Sequence, residues 1–170
     1  MNELDLMMSL IGGWDDQDRN RLLETCSHVI ASRPADEVIN RQGLPYMERW
    51  HLVRASAGVA LGNLYVHRFV RDDDEDLHCH PWTSTSFLLR GQYVEKTDEG
   101  HKIWNAGAVI HRLPETRHAI VKVQPGTITL FATGPKTRDW GFYPMINGVE
   151  VFMSRSEYGQ FKNRRQAVAA

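Results

Sequence analysis

The feature that most constrains the fold is a long succession of short β-type segments that begins near Tyr46. The segments are rich in β-branched and aromatic residues, and glycine, proline or asparagine separates most of them. Many short strands with regular turn residues are typical of a β-sandwich or barrel. The predicted strands are Trp50–Val53, Asn63–Val70, Thr85–Val94, Lys102–Trp104, Ala108–Leu113, His118–Val123, Thr127–Ala132 and Trp140–Tyr143.

The residues before this β-rich region have a helical pattern instead. Apolar residues recur at spacings of three and four over Leu4–Ile11, and a second helix is predicted from Asp15 or Asp16 to Arg33, with one more turn over 35–39. A closing helix is predicted after a cap at Ser154. The chain therefore divides into a helical segment packed on the barrel (1–45), the barrel (46–153) and a C-terminal helix and tail (154–170).

The segment His78-Cys79-His80 contains the main candidate for a metal site. Successive side chains of a strand point to opposite faces, so His78 and His80 project together and Cys79 points away. Their Cα atoms would lie roughly 6.5 Å apart on a strand, close enough for both rings to converge on one ion. Neutral imidazoles bind iron, zinc, nickel or copper, so the pair predicts a metal site.

Two further side chains are weaker candidates for this site. Asp76 ends an acidic run and points to the same side as His78 and His80, but on a regular strand its Cα would lie about 13 Å from that of His80. It joins the site only if the acidic loop bends, and otherwise belongs to a solvated loop. His67 is a reserve ligand on another strand. The remaining histidines are expected to be structural or surface groups: His28, His51, His101 and His111.

Basic and aromatic residues could line a cavity around the predicted metal site. Arg68 lies on an otherwise apolar strand face, so it either stays at the rim or points inward to hold a carboxylate or phosphate with two hydrogen bonds. Trp82 is either a core residue or a wall of the pocket. Arg138 and Trp140 could reach the mouth of the barrel. Otherwise Arg138 forms a surface ion pair and Trp140 belongs to the core.

The stretch from His78 to Gly91 resembles the first motif of the cupin barrel, in which two histidines are followed by a carboxylate and a glycine. Ser84 stands where the usual Glu falls. Gly107, Pro114 and His118 resemble the second motif, although the spacing is one residue shorter and a glycine is missing. The wider pattern over Trp50–Tyr143 is similar to small cupin-like proteins of bacteria and phages that carry His-x-His-Pro-Trp.

The resemblance implies a mainly β fold, a cupin-type double-stranded β-helix, or jelly-roll barrel, with N-terminal helices and a short C-terminal helix. It implies His118 as the third metal ligand beside His78 and His80. A centre of three histidines is similar to the thiol dioxygenase branch of the cupins, which favours one divalent ion, iron first and zinc, nickel or manganese otherwise. Ser84 is then expected at the substrate site, and a homodimer is expected by analogy.

The function implied is dioxygenase-like oxidation of a small anionic molecule, since three neutral ligands leave the charge of the ion uncompensated. Two alternatives stay open. One is a metal-dependent isomerase or lyase, in which the ion polarises a carbonyl group without oxygen. The other is a cupin module that binds or assembles without catalysis, because a fold does not imply an activity.

Composition argues against several other classes of protein. Lys and Arg number 20 and Asp and Glu 21, so the basic excess of a nucleic-acid binder is missing. The sequence has no apolar run near the roughly 20 residues of a membrane span. Cys26 and Cys79 lie in unlike contexts and do not predict a disulfide framework. With acidic Glu3 and Asp5 where a secretory signal is basic, the expected location is the cytoplasm.

Overall fold

Two six-stranded antiparallel sheets form the body of the protein, which a computed structural model describes over residues 15–41, 43–54, 62–73 and 76–169. The helix predicted over Leu4–Ile11 lies outside these residues. The strands are β1 Glu37–Arg41, β2 Leu44–Val53, β3 Leu64–Phe69, β4 Leu77–Cys79, β5 Ser84–Arg90, β6 Gln92–Thr97, β7 Gly100–Asn105, β8 Val109–Arg112, β9 His118–Val123, β10 Ile128–Thr133, β11 Gly141–Tyr143, β12 Met145–Ile146, β13 Val149–Glu150 and β14 Met153–Ser154.

The strand order is that of a jelly roll. One sheet runs β1-β2-β3-β10-β5-β8 and the other β14-β11-β4-β9-β6-β7, while β12 and β13 form a separate hairpin. The eight strands β3 to β10 therefore interleave in two sets of four, β3-β10-β5-β8 and β4-β9-β6-β7, as expected of two Greek keys. The predicted mainly β, cupin-type double-stranded β-helix is confirmed.

A helix covers the outer face of the first sheet. Helix α1 spans Asp16–Ser32, and the Asp15 carboxylate caps it by accepting hydrogen bonds from the backbone N–H groups of Gln17 and Asp18 at 2.8 and 2.9 Å. This start is as predicted. Its Cys26 packs in a core cluster on the outer face of the sheet. The other buried members of that cluster are Trp50, Val66, Phe87, Leu89 and Ile128.

A strand that follows α1 and a C-terminal helix complete the fold. Residues 37–41 form strand β1, which pairs with β2, where the sequence pattern predicted a helical turn over 35–39. The predicted turn is wrong because pairing with β2 satisfies the backbone groups of this segment instead.

Helix α2 spans Arg155–Ala169, and Ser154 caps it through reciprocal contacts with Glu157. No helix in the described residues is long and apolar enough to cross a membrane.

Candidate metal centre and cavity

A cavity of about 540 Å³ lies between the two sheets. Its wall from the first sheet carries Arg49, His67 and Thr129, and its wall from the second carries His78 and His118. Aromatic rings line much of the remainder, from Tyr46, Tyr65, Phe69, Trp82, Tyr93, Phe131, Trp140 and Phe142. The cavity therefore combines an apolar interior with polar groups at opposite walls.

The structure brings His78, His80 and His118 together at this cavity. One ring nitrogen from each lies within 4.8 Å of the others. His78 is on β4 and pairs directly with His118 at the start of β9, while His80 follows the end of β4. The Nε2 atoms of His80 and His118 are 2.8 Å apart. The alternation expected of His78 and His80 thus places both rings beside the third histidine.

One hydrogen bond and one short carboxylate contact orient two of the rings. His78 Nδ1 lies 3.1 Å from the Asp76 carbonyl oxygen, which accepts a hydrogen bond from the Nδ1–H group and leaves Nε2 with a lone pair. His118 Nδ1 lies 2.7 Å from Glu95 Oε1, a short contact that is poorly aligned for a hydrogen bond. His80 Nδ1 is buried and has no hydrogen-bond partner among the described residues.

Burial keeps all three imidazoles neutral. It lowers the pKa of His78, lowers that of His80 well below the usual value, and lowers that of His118 to about 3. A neutral ring offers its lone pair, and three imidazole nitrogens suit zinc, iron, nickel or copper. The donor set therefore fits one divalent transition-metal ion.

A buried ion pair lies directly behind His118. Glu95 Oε1 accepts a hydrogen bond from Arg112 Nε at 2.6 Å, and Glu95 Oε2 accepts one from Trp104 Nε1 at 2.7 Å. Burial raises the pKa of Glu95, but the contacts with His118 and Arg112 outweigh it and bring the value down to about 2. Glu95 is thus an anion held against the outer nitrogen of His118.

Two predicted aromatic residues line the cavity beside the histidines. The Trp140 ring centroid is 4.5 Å from that of His80, and Trp82 meets Trp140 edge to face at 5.6 Å. The Trp82 indole N–H is buried without a hydrogen-bond partner among the residues described. Both tryptophans are therefore placed to contact a ligand, and their role in substrate binding stays a prediction.

Three other predicted substrate residues lie away from the cavity. Alternation along β3 points Tyr65, His67 and Phe69 inward, so Arg68 lies on the outer face, where its Nε is 2.5 Å from Glu48 Oε2. Ser84 is buried, but it is not among the residues that line the cavity. Arg138 is exposed. The inward placement considered for Arg68 and the placement of Ser84 and Arg138 at the cavity are therefore corrected.

The two weaker ligand candidates also take other positions. The Asp76 carboxylate accepts a hydrogen bond from Tyr158 Oη at 3.0 Å and is not part of the histidine cluster. His67 lines the cavity on the opposite sheet, and its Nε2 accepts a hydrogen bond from Arg49 Nε at 3.0 Å. Burial lowers the pKa of His67 well below the usual value, so this ring is neutral too.

The sequence interpretation missed several charged residues of the site. Arg49 and Arg155 line the cavity, and Glu95 and Arg112 support His118. Strand alternation could have found two of them, since Glu95 points to the same side as buried Tyr93 and Arg112 to the same side as buried Ile110. Arg155 begins α2, and no strand pattern predicts its position.

The strand order gives the fold of this protein, a cupin-type jelly roll, and the three convergent histidines form a candidate metal centre. No protein-family model matches the sequence, and no curated protein matches it.

Several solved structures are similar to this chain. KdgF from Halomonas sp. is 15% identical over 58% of this chain and 94% of its own, with a TM-score of 0.47. Fe(II) HppE is 21% identical over 58% of this chain and 55% of its own, with a TM-score of 0.48. The DMSP lyase DddQ from Ruegeria pomeroyi DSS-3 is 14% identical over 57% of this chain and 51% of its own, with a TM-score of 0.47. The match spans about half the length of HppE and DddQ.

Proposed function

We propose that this protein is a metal-dependent enzyme that holds one divalent ion through His78, His80 and His118 and acts on a small anionic molecule. The observation that carries the proposal is the convergence of three neutral imidazoles at one wall of an internal cavity. Iron is the favoured ion by resemblance to the thiol dioxygenases, with zinc, nickel and manganese as alternatives. Such an ion, when bound, polarises a substrate oxygen or supports oxidation by O₂.

The charges around the cavity favour an anionic substrate. Three imidazoles do not compensate the charge of a divalent ion, so an anion is stabilised beside it. Arg155 also lines the cavity, with its guanidinium 5.9 Å from the Trp140 ring centroid, and it has no carboxylate partner among the described residues. Arg49, which pairs with Glu37, contributes a second cation from the opposite wall. The lining as a whole holds four arginines against two carboxylates: Arg41, Arg49, Arg112 and Arg155, with Glu37 and Asp73. Trp82, Trp140 and Phe142 line the cavity with packed aromatic rings, and charges attract more strongly beside such apolar surfaces than in water.

Metal analysis tests the first part of the proposal. Protein purified without an affinity tag is expected to contain near-stoichiometric metal by elemental analysis, and His78→Ala and His118→Ala are expected to lose it. His101→Ala is the matched control, because His101 is exposed on β7 and is not part of the histidine cluster. A folded parent protein that contains no metal and cannot be loaded with metal would contradict the proposed metal-dependent enzyme. It would favour the non-catalytic binding module.

Oxygen dependence tests the reaction class. We propose that the reaction is an oxygen-dependent oxidation, so the metal-loaded protein should consume O₂ when supplied with its substrate from a panel of small carboxylates. Equal turnover of one of these acids under nitrogen would instead identify an isomerase or lyase. His118→Ala should abolish either activity.

A further inference from the structure

A row of polar side chains crosses the wall of the cavity opposite the three histidines. Arg49 on β2 pairs with His67 on β3, and His67 pairs with Thr129 on β10. Directly paired residues of neighbouring strands lie on the same face of a sheet, and all three line the cavity. His67 and Thr129 are almost closed to bulk solvent, at 4% and 2% exposed, whereas the Arg49 side chain is 23% exposed.

The contacts within the row leave hydrogen-bond donors available to the cavity. Arg49 Nε donates to His67 Nε2 at 3.0 Å, so His67, held neutral by burial, carries its proton on Nδ1. Arg49 Nη1 donates to Glu37 Oε2 at 3.2 Å. Arg49 Nη2, His67 Nδ1 and the Thr129 hydroxyl have no hydrogen-bond partner among the described residues.

The environment of Arg49 favours an anion at these donors. Its guanidinium lies 4.6 Å from the Tyr65 ring centroid, so the ring limits the orientations of the planar group. The charge of Glu37 is shared with His51 Nε2 at 2.9 Å, and its side chain is 44% exposed, so solvent screens it. A guanidinium with a free nitrogen, an N–H and a hydroxyl suits the oxygen atoms of a carboxylate.

We propose that Arg49, His67 and Thr129 form a carboxylate-binding subsite, and that the substrate is a small acid with a second polar group that reaches the histidine cluster. Only one part of this inference rests on the proposed function: the contact between the second polar group and a metal ion at the histidine cluster. Stacked sheets lie about 10 Å apart, and side chains from both walls shorten the remaining span. The ligand class is therefore a short bifunctional acid, such as a dicarboxylate, with its apolar carbons against the aromatic lining.

Calorimetric titration of the zinc-loaded protein with dicarboxylates of increasing length tests the subsite. The probes are malonate, succinate, glutarate and adipate, with butyrate as the acid that has a single carboxylate. We expect one length to bind at least about 10-fold more tightly than butyrate, and Arg49→Gln to weaken it about 10- to 100-fold with unchanged zinc content. Thr129→Val should weaken it roughly 3- to 10-fold.

Arg68→Gln is the matched control, since Arg68 is the neighbouring arginine on the outer face of the same sheet. It should bind the dicarboxylates like the parent protein. The subsite is wrong if affinity does not depend on length, or if folded Arg49→Gln binds like the parent. If circular dichroism shows that Arg49→Gln does not fold, Thr129→Val takes its place, and parent-like binding by Thr129→Val rejects the subsite.

Failure of the metal site would give a different result. A parent protein that binds no zinc contradicts the proposed function, and the subsite is then tested by titrating the metal-free protein with butyrate. Weaker butyrate binding to Arg49→Gln than to Arg68→Gln would support the subsite without a metal. Equal binding to the two variants would reject it.

Discussion

Glu95 acts on the candidate centre through His118, because its carboxylate lies at the ring nitrogen that faces away from the cluster. A carboxylate at this position holds an imidazole ring in one orientation and raises its basicity toward a metal ion. Arg112 compensates the buried charge and also donates to Ser86 Oγ and Tyr93 Oη, both at 3.2 Å. We therefore expect Glu95 to act as a positioning residue, held by buried Arg112 and partly buried Trp104.

Glu95→Gln is expected to weaken metal affinity about 10- to 100-fold, because the amide is a poorer acceptor and no longer carries the charge that orients His118. Competition of the folded protein with a chromophoric zinc chelator measures the change. Glu48→Gln is the matched control, since it removes a carboxylate from an arginine on the outer face of the first sheet.

Loss of folding must be separated from loss of affinity in this experiment. Glu95→Gln leaves Arg112 buried without its charge partner, a type of change that costs about 3 to 5 kcal/mol of folding free energy. The double variant Glu95→Gln, Arg112→Gln removes both charges and should have the same weak affinity. Zinc affinity of the folded double variant equal to that of the parent would contradict the positioning role.

The connection between β5 and β6 joins the two sheets and depends on one glycine. Gly91 has φ +83°, a conformation that side chains with a Cβ rarely adopt. A Cβ at this position would meet the Thr127 hydroxyl and lie 3.0 Å from Thr127 Cα. Thr127 is fully buried and its hydroxyl donates to the Gln124 carbonyl at 2.7 Å, so it has little room to move.

Gly91→Ala is expected to lower the free energy of unfolding by about 2 to 4 kcal/mol, through the left-handed backbone and the collision with Thr127. Gly43→Ala is the matched control, because Gly43 has φ +76° and no atom of the described residues lies within 4 Å of its Cβ position. It should cost only about 1 to 2 kcal/mol for the backbone. Urea unfolding measures the free energy of unfolding of both variants. Equal losses would show that Thr127 moves aside to accommodate the added Cβ.

Buried neutral histidines make the stability of the whole molecule depend on pH. Burial lowers the pKa of His67, His78, His80 and His118 below the usual 6.5. Below that pH the unfolded chain takes up protons that the folded protein does not, so the stability present above pH 6.5 is lost as the pH falls. Glu95 acts in the same direction between its usual pKa of 4.5 and its folded value of about 2.

The metal-free protein should therefore lose stability as the pH is lowered from 7.5 to 5.5, a range above the usual carboxylate pKa values, so protonation of ordinary carboxylates does not explain the loss. Each histidine contributes up to about 1.4 kcal/mol per pH unit below pH 6.5. Urea unfolding at several pH values measures the slope. Constant stability down to pH 5 would show that the rings are protonated in the folded state.

Local patterns in the sequence determined much of this fold and the centre of the site. The strand period of two placed His78 and His80 on one face, although the single strand predicted over Thr85–Val94 divides at Gly91 into β5 and β6. The turn residues separated the strands, and the Asp15 cap marked the start of α1. These features depend on neighbours in the chain, so they are visible without tertiary information.

Tertiary structure alone decided which charged groups meet. Arg68 and Arg49 lie on adjacent strands, and the packing of α1 against Trp50 and Val66 determines that Arg68 lies outside and Arg49 inside. Glu95, Arg112 and His118 come from three strands, and only the interleaving of the two sheets brings them together. The physical reason is that strand alternation fixes which residues share a face, whereas burial of one face against a helix or a second sheet decides which face is the inside.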